Sequence, residues 1–291
     1  MNEQQPTIQW FPGHMKKTER LIEKNLPYVD VVVELIDARV PYSSRNPLLG
    51  KLIGNKPRVV LLNKCDMADP NVTAKWLRWF QQQGIPAMAV DCRTGKNIKK
   101  FQPFVREVLK ETIERRANKG MIGRIVRVMV VGVPNVGKST FINKLAGSKR
   151  AKAEDRPGVT RGKQWVHIEN DVDLLDMPGV LWPKFEDPQV GIHLAFTGAI
   201  KDDVIDLEYL AMQLLEYLAQ HYPERLKERF KLEDTSDMEA YERLEAVGRK
   251  RGMLISGGEV NTERAAIVTL DEYRSGKLGC ISWEEPSEET A

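Results

Sequence analysis

The segment GVPNVGKS, from Gly132 to Ser139, constrains the fold of this chain more than any other stretch. It fits the pattern G-x-x-x-x-G-K-S, follows the strand-like run RIVRVMVVG and precedes the helix-like run STFINKLAG. In that context the loop holds nucleotide phosphates, because its glycines leave backbone N–H groups open to an anion at a helix N-terminus. The sequence therefore predicts a phosphate-binding loop between a buried strand and a helix.

Two further segments complete the expected phosphate and Mg²⁺ site. We expect Lys138 to reach the β and γ phosphates and Ser139 to ligate Mg²⁺. DMPG begins at Asp176, which is predicted to hold Mg²⁺ through water, and ends at Gly179, whose N–H is predicted to sense the γ-phosphate. RPGVTRG offers Thr160 as a further Mg²⁺ ligand, unless it is an ordinary loop threonine. The remaining predicted nucleotide contacts of the loop and its helix are Asn135, Val136, Gly137 and Thr140.

NKCD, at residues 63–66, matches the Asn-Lys-x-Asp pattern that reads guanine. Asp66 can accept hydrogen bonds from the guanine N1–H and amino groups, whereas adenine would leave this carboxylate unpaired at a cost. Asn63 is expected at the edge of the base and Lys64 along the ring. DCRTGKN occupies the place of the loop whose backbone N–H faces guanine O6, although Asp91 and Cys92 depart from its usual sequence. The predicted ligands are GTP and GDP.

The order of these motifs along the chain is base reader, base loop, phosphate loop, Thr160 loop and DMPG, so the base reader precedes the phosphate loop. In an open parallel sheet the ligand binds at the carboxyl ends of the strands, whichever strand comes first in the chain. Moving the chain termini therefore leaves the site intact. The order resembles that of the circularly permuted GTPases, in which the segment after DMPG leads directly into a C-terminal domain.

Strand-like and helix-like stretches alternate through the first 180 residues or so, which predicts a mostly parallel sheet with helices on both faces. Strands are expected at residues 29–38, 57–64, 86–92 and 124–132 and in KQWVHIEN and VDLLDMPG; one long helix is expected at 98–119. Helical stretches such as 204–220 follow. The predicted fold is α/β, with a circularly permuted P-loop GTPase domain over residues 1–181 and a smaller all-α C-terminal domain over 182–291. The acidic end, SWEEPSEETA, is expected to fray.

Composition limits the partners. The chain has 291 residues and a net charge of +3, which permits nucleic-acid binding without requiring it. Three scattered cysteines fit a reducing compartment and offer no zinc site. With no apolar run of membrane-spanning length, a cytoplasmic protein without membrane or DNA partners is expected.

Three features make the chain resemble the ribosome-biogenesis GTPase A family over nearly its whole length. They are WFPGHMKK at residues 10–17, DARVPYSSRNP at 37–47 and the helical C-terminal part. The resemblance implies GTP hydrolysis coupled to late assembly of the large (50S) ribosomal subunit, with that subunit and its rRNA as partners. The basic clusters RLKERFK (225–231) and GRKRG (248–252) either contact rRNA phosphates or form solvated helix faces. Two other functions stay open: a GTP-regulated RNA-binding scaffold with incidental hydrolysis, and a signalling GTPase with a protein partner.

The catalytic group must come from outside DMPG, because the next residues, Val180 and Leu181, cannot hydrogen-bond a water through their side chains. His14 is the candidate, since a neutral imidazole can accept a hydrogen bond from the attacking water near pH 7. The resemblance points to the same residue; the alternatives are that His14 packs its helix or that the ribosome supplies the group. Asn135 resembles the K⁺ ligand of several GTPases, which predicts K⁺-stimulated hydrolysis unless it only forms a turn. His167 and His193 are interpreted as surface or packing histidines.

Overall fold

The computed structural model of the chain describes residues 8, 10, 13–121, 123–147, 164–168, 172–233, 235 and 237–287. Six strands form one sheet: β1 (Val31–Asp37), β2 (Arg58–Asn63), β3 (Ala87–Ala89), β4 (Val126–Val131), β5 (Gln164–Ile168) and β6 (Val172–Asp176). Their order across the sheet is β3-β2-β1-β4-β6-β5. Neighbours run parallel, except that β5 is antiparallel to β6. The prediction of a mostly parallel sheet is confirmed.

The apolar pattern of each strand explains its place in the sheet. Every residue of β1 is buried, as expected for a central strand covered on both faces. The edge strand β5 alternates instead, with Val166 and Ile168 buried and Trp165 and His167 exposed. One face of β5 therefore meets the core and the other meets solvent.

Six helices accompany the sheet: α1 (Gly13–Asn25), α2 (Pro47–Ile53), α3 (Pro70–Gln82), α4 (Phe101–Val108), α5 (Lys110–Ala117) and α6 (Lys138–Leu145). The single helix predicted at 98–119 is instead a 3₁₀ turn, Ile98–Lys100, followed by α4 and α5. Leu109 joins the two helices with a ψ of 7°, outside the α-helical range, while its side chain stays buried. The core contact of Leu109 holds the joint in place.

Five helices follow in the C-terminal part: α7 (Pro188–Phe196), α8 (Leu207–His221), α9 (Pro223–Phe230), α10 (Ala240–Lys250) and α11 (Thr262–Arg274). Their apolar faces form a cluster of their own, which includes Leu214, Leu244 and Leu270. Trp182 and Phe185 pack instead with the apolar side chains of the sheet, and α7 contributes to both clusters. The domain boundary after residue 181 stays a prediction. None of the helices in the described ranges is long and apolar enough to span a membrane.

The prediction that the acidic C-terminal end frays was wrong for residues 282–285. Ser282 is buried, and the ring of Trp283 stacks on Phe196 at 4.2 Å and on Tyr217 at 4.0 Å. The carboxylate of Glu284 lies 2.7 Å from Nδ1 of His193, so His193 is a packing histidine with an acidic partner. The packing of the Trp283 ring holds this acidic segment against the protein despite its charge. Residues 288–291 lie outside the described part.

Candidate nucleotide site

Parallel strands bring the three predicted motifs to one edge of the sheet. β2 ends at Asn63, the first residue of NKCD, and β6 ends at Asp176, the first residue of DMPG. Between them, β4 runs into the GVPNVGKS loop at Gly132. The strand order reverses between β1 and β4, and in open α/β sheets ligands bind beside such a reversal. The geometry expected for a permuted chain is therefore present.

The phosphate-binding loop ends in a turn that requires glycine. Gly137 has a φ of 102°, and a Cβ there would lie 2.4 Å from Nδ2 of Asn63. Helix α6 begins at the next residue, so Lys138, Ser139 and Thr140 form its first turn. The first N–H groups of a helix have no intrahelical partner, and they favour an anion. The loop and the helix thus present donors to the same place.

Lys138 is buried beneath this loop. Its Nζ donates to the carbonyl oxygens of Gly132 at 3.1 Å and Val133 at 2.8 Å. Burial lowers the pKa of Lys138 to about 8, although the charge of Asp176 raises it. Phosphate oxygens beside the ammonium would favour its charged form. A buried lysine at this position fits a polyanionic ligand.

Asp176 and Ser139 come together as a Mg²⁺ site would require. The Ser139 hydroxyl donates to Oδ2 of Asp176 at 3.4 Å. Oδ1 of Asp176 is buried and has no hydrogen-bond partner among the described residues. Burial raises the pKa of Asp176, while Lys138 and Ser139 lower it. Mg²⁺ prefers oxygen ligands and retains several of its waters, so an unpartnered carboxylate oxygen beside a hydroxyl fits that ion.

The end of DMPG packs directly on the phosphate loop. A Cβ at Gly179 would lie 2.8 Å from the backbone of Pro134, so the close approach requires glycine. The N–H of Val180 donates to the carbonyl of Gly132 at 3.3 Å. The side chains of Val180 and Leu181 are buried and apolar. Neither of them can orient a water.

Asn63 and Lys64 join the base-reading segment to the phosphate loop. Nδ2 of Asn63 donates to the Val136 carbonyl at 2.8 Å, and its Oδ1 accepts from the Cys92 N–H at 3.1 Å. Nζ of Lys64 donates to the Asn135 carbonyl at 3.0 Å. Both side chains therefore brace the loops that surround the predicted base. This bracing was not part of the prediction, which considered only contacts with guanine.

Asp66 has one carboxylate oxygen available for a base. Its Oδ1 is buried without a hydrogen-bond partner in the described ranges. Its Oδ2 lies 2.7 Å from Nη2 of Arg93, whose side chain is mostly exposed. Guanine donors fit the unpartnered Oδ1, whereas Oδ2 is paired with the exposed Arg93 side chain.

The DCRTGKN loop lies beside Asn63, and its first two residues hold its shape. Oδ1 of Asp91 accepts from the N–H groups of Arg93 at 2.7 Å and Thr94 at 3.2 Å. Cys92 is buried, and burial raises the pKa of its thiol. The Asp91 carboxylate thus closes a turn within its own loop, and the N–H of Cys92 is engaged by Asn63.

A buried ion-pair network next to the base-reading segment was missed. Asp37 ends β1 and pairs with Arg39 at 2.8 Å and with Lys64 at 3.0 Å. Burial alone would raise the pKa of Asp37, but the charges and hydrogen bonds of these two partners hold it well below its usual value. Arg39 also donates to the Tyr273 carbonyl in α11 at 3.2 Å. The sequence signal for this network was an acidic residue, Asp37, followed two residues later by a basic one, Arg39, at the end of an apolar strand.

Asn135 links the phosphate loop to the C-terminal helices. It adopts a φ of 55°, and its Nδ2 donates to the carbonyl of Gly198, just after α7, at 2.8 Å. The amide is therefore held in a fixed orientation at the rim of the loop. Its predicted role as a K⁺ ligand stays a prediction.

Two predicted residues cannot be located in full. Thr160 lies outside the described residues, as does the side chain of His14, although the backbone of His14 belongs to the first turn of α1. The adjacent Met15 is buried, and its sulfur accepts a hydrogen bond from the N–H of Leu181 at 3.4 Å. The start of α1 therefore lies beside the segment that follows DMPG.

Comparisons with known proteins agree with these motifs. Residues 127–238 match a family model described as 50S ribosome-binding GTPase. A Priestia megaterium protein named ribosome biogenesis GTPase A is 48% identical, with 97% of this chain and 98% of that protein covered. A Thermotoga maritima protein of the same name is 34% identical, with coverages of 97% and 96%.

Solved structures give the same result. The crystal structure of GNP-bound YlqF from T. maritima superposes with a TM-score of 0.64 at 31% identity, covering 93% of this chain and 99% of that one. The GDP-bound structure of YlqF gives a TM-score of 0.65, also at 31% identity, with coverages of 92% and 99%. The similarity thus extends over both the sheet and the C-terminal helices.

Proposed function

The chain belongs to the ribosome biogenesis GTPase A family and is a GTP-hydrolysing ribosome assembly factor, and on this premise we propose that it acts in late maturation of the large (50S) subunit. In this proposal the GTP-bound protein binds rRNA of that subunit in the cytoplasm, and hydrolysis releases it. The description of the matching family model, 50S ribosome-binding GTPase, supports the choice of subunit.

Two buried carboxylate oxygens carry the nucleotide part of the proposal. Oδ1 of Asp66 and Oδ1 of Asp176 both lack a hydrogen-bond partner within the described part of the chain. A buried acceptor left unsatisfied costs about 1–3 kcal/mol. They follow β2 and β6, which flank the strand-order reversal on either side. Guanine at Asp66 and hydrated Mg²⁺ at Asp176 would satisfy both at once, which favours a magnesium–GTP complex as ligand.

We assign the remaining nucleotide contacts by motif. Ser139 and Thr160 would ligate Mg²⁺ directly, and Asp176 would do so through water. Bound there, Mg²⁺ would neutralise charge on the β and γ phosphate oxygens. Lys138 would bind the same phosphates, and the Gly179 N–H would detect the γ-phosphate. The rigid packing of Gly179 on Pro134 supports that role, because it fixes the direction of the N–H.

His14 is the proposed group that orients the attacking water. Val180 and Leu181 are buried and apolar, so the segment after DMPG supplies no such group. The contact between Met15 and Leu181 supports His14, because it brings the first turn of α1 to this segment. A positioned general base contributes roughly 10²–10⁴-fold to a rate.

Two contacts would carry the nucleotide state to the C-terminal helices. Asn135, in the phosphate loop, bonds the Gly198 carbonyl after α7. Lys64, in the base reader, pairs with Asp37, which holds Arg39 against the Tyr273 carbonyl in α11. A ligand that pulls on Asn135 or Lys64 therefore changes the support of α7 and α11. Differential binding of GTP and GDP to two such arrangements would give nucleotide-dependent rRNA binding.

The basic clusters of the helical part are not equally available to rRNA. Most charges in RLKERFK are paired, as in Arg225 with Glu228 at 3.1 Å and Arg229 with Glu272 at 2.7 Å. In GRKRG, Arg251 also pairs with Glu272. Arg249 and Lys250 are exposed at the end of α10 and form no ion pair within the described residues. We assign the phosphate contacts to these two side chains.

The proposal is tested by co-sedimentation with purified ribosomal subunits. We expect binding to 50S particles with a non-hydrolysable GTP analogue, weaker binding with GDP, and none to 30S particles. Replacing Arg249 and Lys250 by alanine should weaken binding and reduce its salt dependence, whereas Arg225→Ala, in a paired position, should change it little. Equal binding to both subunits, or binding independent of nucleotide, would refute the proposal.

A further inference from the structure

A second cleft lies between the end of α1 and strands β4, β5 and β6. It has a volume of about 410 Å³ and is lined by Lys24, Asn25, Tyr28, Arg127, Trp165 and Asp173. Arg127 and Asp173 stand near the starts of β4 and β6, whereas the phosphate loop and DMPG follow the ends of these strands. None of the six lining residues is assigned to GTP, although Trp165 pairs with Leu175, one residue before Asp176.

Two aromatic rings are exposed in this cleft. Trp165 is 39% exposed and Tyr28 is 61% exposed. Of the six tryptophans, all within the described residues, Trp165 has the most exposed side chain. Its neighbours Val166 and Ile168 supply the core contacts of β5, so packing does not require a tryptophan here. Exposed aromatic faces in a concave site are stacking platforms for unpaired bases.

Positive charge accompanies the rings. The guanidinium of Arg127 lies 5.6 Å from the centre of the Trp165 ring. Lys24 is exposed and forms no ion pair within the described ranges. Asp173 is the acidic group in the cleft, and it is already engaged by His167 at 2.9 Å and by Arg127 at 4.0 Å. Lys24 is therefore the lining cation without an ion-pair partner among the described residues, and Arg127 shares Asp173 with His167.

The neighbouring surface adds to this charge. Asp30, which precedes β1, pairs with Arg116 of α5 and accepts a hydrogen bond from the N–H of Arg127. The end of α5 therefore lies beside the cleft. The exposed basic residues at and after the end of α5 are Arg115, Lys119 and Arg124. A basic surface around exposed aromatic rings matches a single-stranded nucleic acid, whose backbone follows the charge while a base stacks.

We propose that this cleft binds an unpaired RNA nucleotide, with its base stacked on Trp165 and Tyr28 and its phosphate held by Lys24 and Arg127. The choice of RNA rests on the proposed rRNA partner. Base-paired RNA does not fit, because its base faces are covered by stacking within the helix. The protein would then contact rRNA with both the end of α10 and this cleft.

The test measures binding of a short single-stranded oligouridylate to the full chain by fluorescence anisotropy. We expect Trp165→Ala to weaken binding by about 10-fold or more, the range for loss of one stacked base, and Trp165→Phe to restore most of it. Arg127→Ala should also lower the salt dependence of binding. Tyr241→Ala, which removes an exposed aromatic ring from α10, is the matched control and should have no effect.

A crosslinker placed at Trp165 in the complex with 50S particles identifies the partner directly. Attachment to rRNA supports the proposal, and attachment to a ribosomal protein overturns it. Unchanged oligouridylate affinity in Trp165→Ala also overturns it, even where the wild type sediments with 50S particles and the proposed function stands. Conversely, RNA binding that depends on Trp165, without co-sedimentation with 50S particles, would refute the proposed function but support RNA binding in the cleft.

Discussion

At the scale of single residues, the buried pair of Asp37 and Arg39 connects the base reader to the helices. Both side chains are almost fully buried, and Lys64 shares the carboxylate. A buried carboxylate without its cations, or the reverse, is strongly unfavourable. The network therefore fixes Lys64 in place before any nucleotide arrives.

Asp37→Asn should lower the free energy of unfolding by about 3–5 kcal/mol, because it leaves two buried cations without their counter-charge. Since the pKa of Asp37 is depressed in the folded state, its contribution is present above about pH 4 and is lost as the pH falls below that value. Denaturant titrations at several pH values measure both effects. Glu228→Gln, at an exposed pair, should cost less than about 1 kcal/mol. If the free energies of unfolding of the wild type and Asp37→Asn differ by the same amount at pH 3 and pH 7, this assignment is wrong.

The Asn135 amide tests the K⁺ hypothesis. We predict that K⁺ stimulates GTP hydrolysis and Na⁺ does not, because a bound cation adds positive charge between the phosphates where the transition state needs it. Asn135→Ala should abolish the difference between KCl and NaCl at matched ionic strength. If the wild type hydrolyses GTP at the same rate in both salts, Asn135 serves only its contact with Gly198.

His14→Ala should leave GTP and GDP binding intact and lower the rate of the chemical step by roughly 10²-fold. Single-turnover hydrolysis, with and without 50S particles, measures this rate. His221→Ala, at the exposed end of α8, is the control and should behave as the wild type. Unchanged rates in His14→Ala under both conditions would assign the catalytic group to the ribosome.

At the scale of structural elements, the C-terminal segment 280–285 fastens the helices to the nucleotide-binding part. The N–H of Ile281 donates to the Met67 carbonyl at 2.9 Å, and the N–H of Trp283 donates to the Arg39 carbonyl at 2.9 Å. Glu284 accepts from the N–H of Tyr42 at 2.7 Å. This segment therefore runs along the loops that follow β1 and β2, next to the base reader.

Trp283→Ala should destabilise the protein by about 3 kcal/mol, since it removes a ring stacked between Phe196 and Tyr217. Denaturant unfolding measures the loss. Tyr241→Ala, at an exposed position of α10, should shift the free energy of unfolding by less than about 0.5 kcal/mol. Equal effects of the two substitutions would mean that the segment contributes no more than surface packing.

At the scale of the whole molecule, local signals predicted the sheet and the placement of the motifs. Continuous apolar runs identified β1 and β4, and parallel strands necessarily carry NKCD, GVPNVGKS and DMPG to one edge. Contacts between distant segments were beyond this reasoning. The pairing of Glu284 with His193 and the Asn135 bond to Gly198 depend on how the helices dock, and neither leaves a pattern along the chain. The same holds for the exposed position of Trp165, which an alternating strand permits without specifying its surroundings.

We propose that guanine recognition by Asp66, in a permuted chain, controls binding to the large subunit. Asp66→Asn should exchange guanine for xanthine, because the amide donates to the C2 oxygen of xanthine and no longer accepts both guanine donors. The decisive measurement is co-sedimentation of this variant with 50S particles in GTP and in xanthosine triphosphate. We expect binding with xanthosine triphosphate and little with GTP, the opposite of the wild type. If the variant still binds 50S particles in GTP as the wild type does, with no gain from xanthosine triphosphate, guanine recognition by Asp66 does not control this binding.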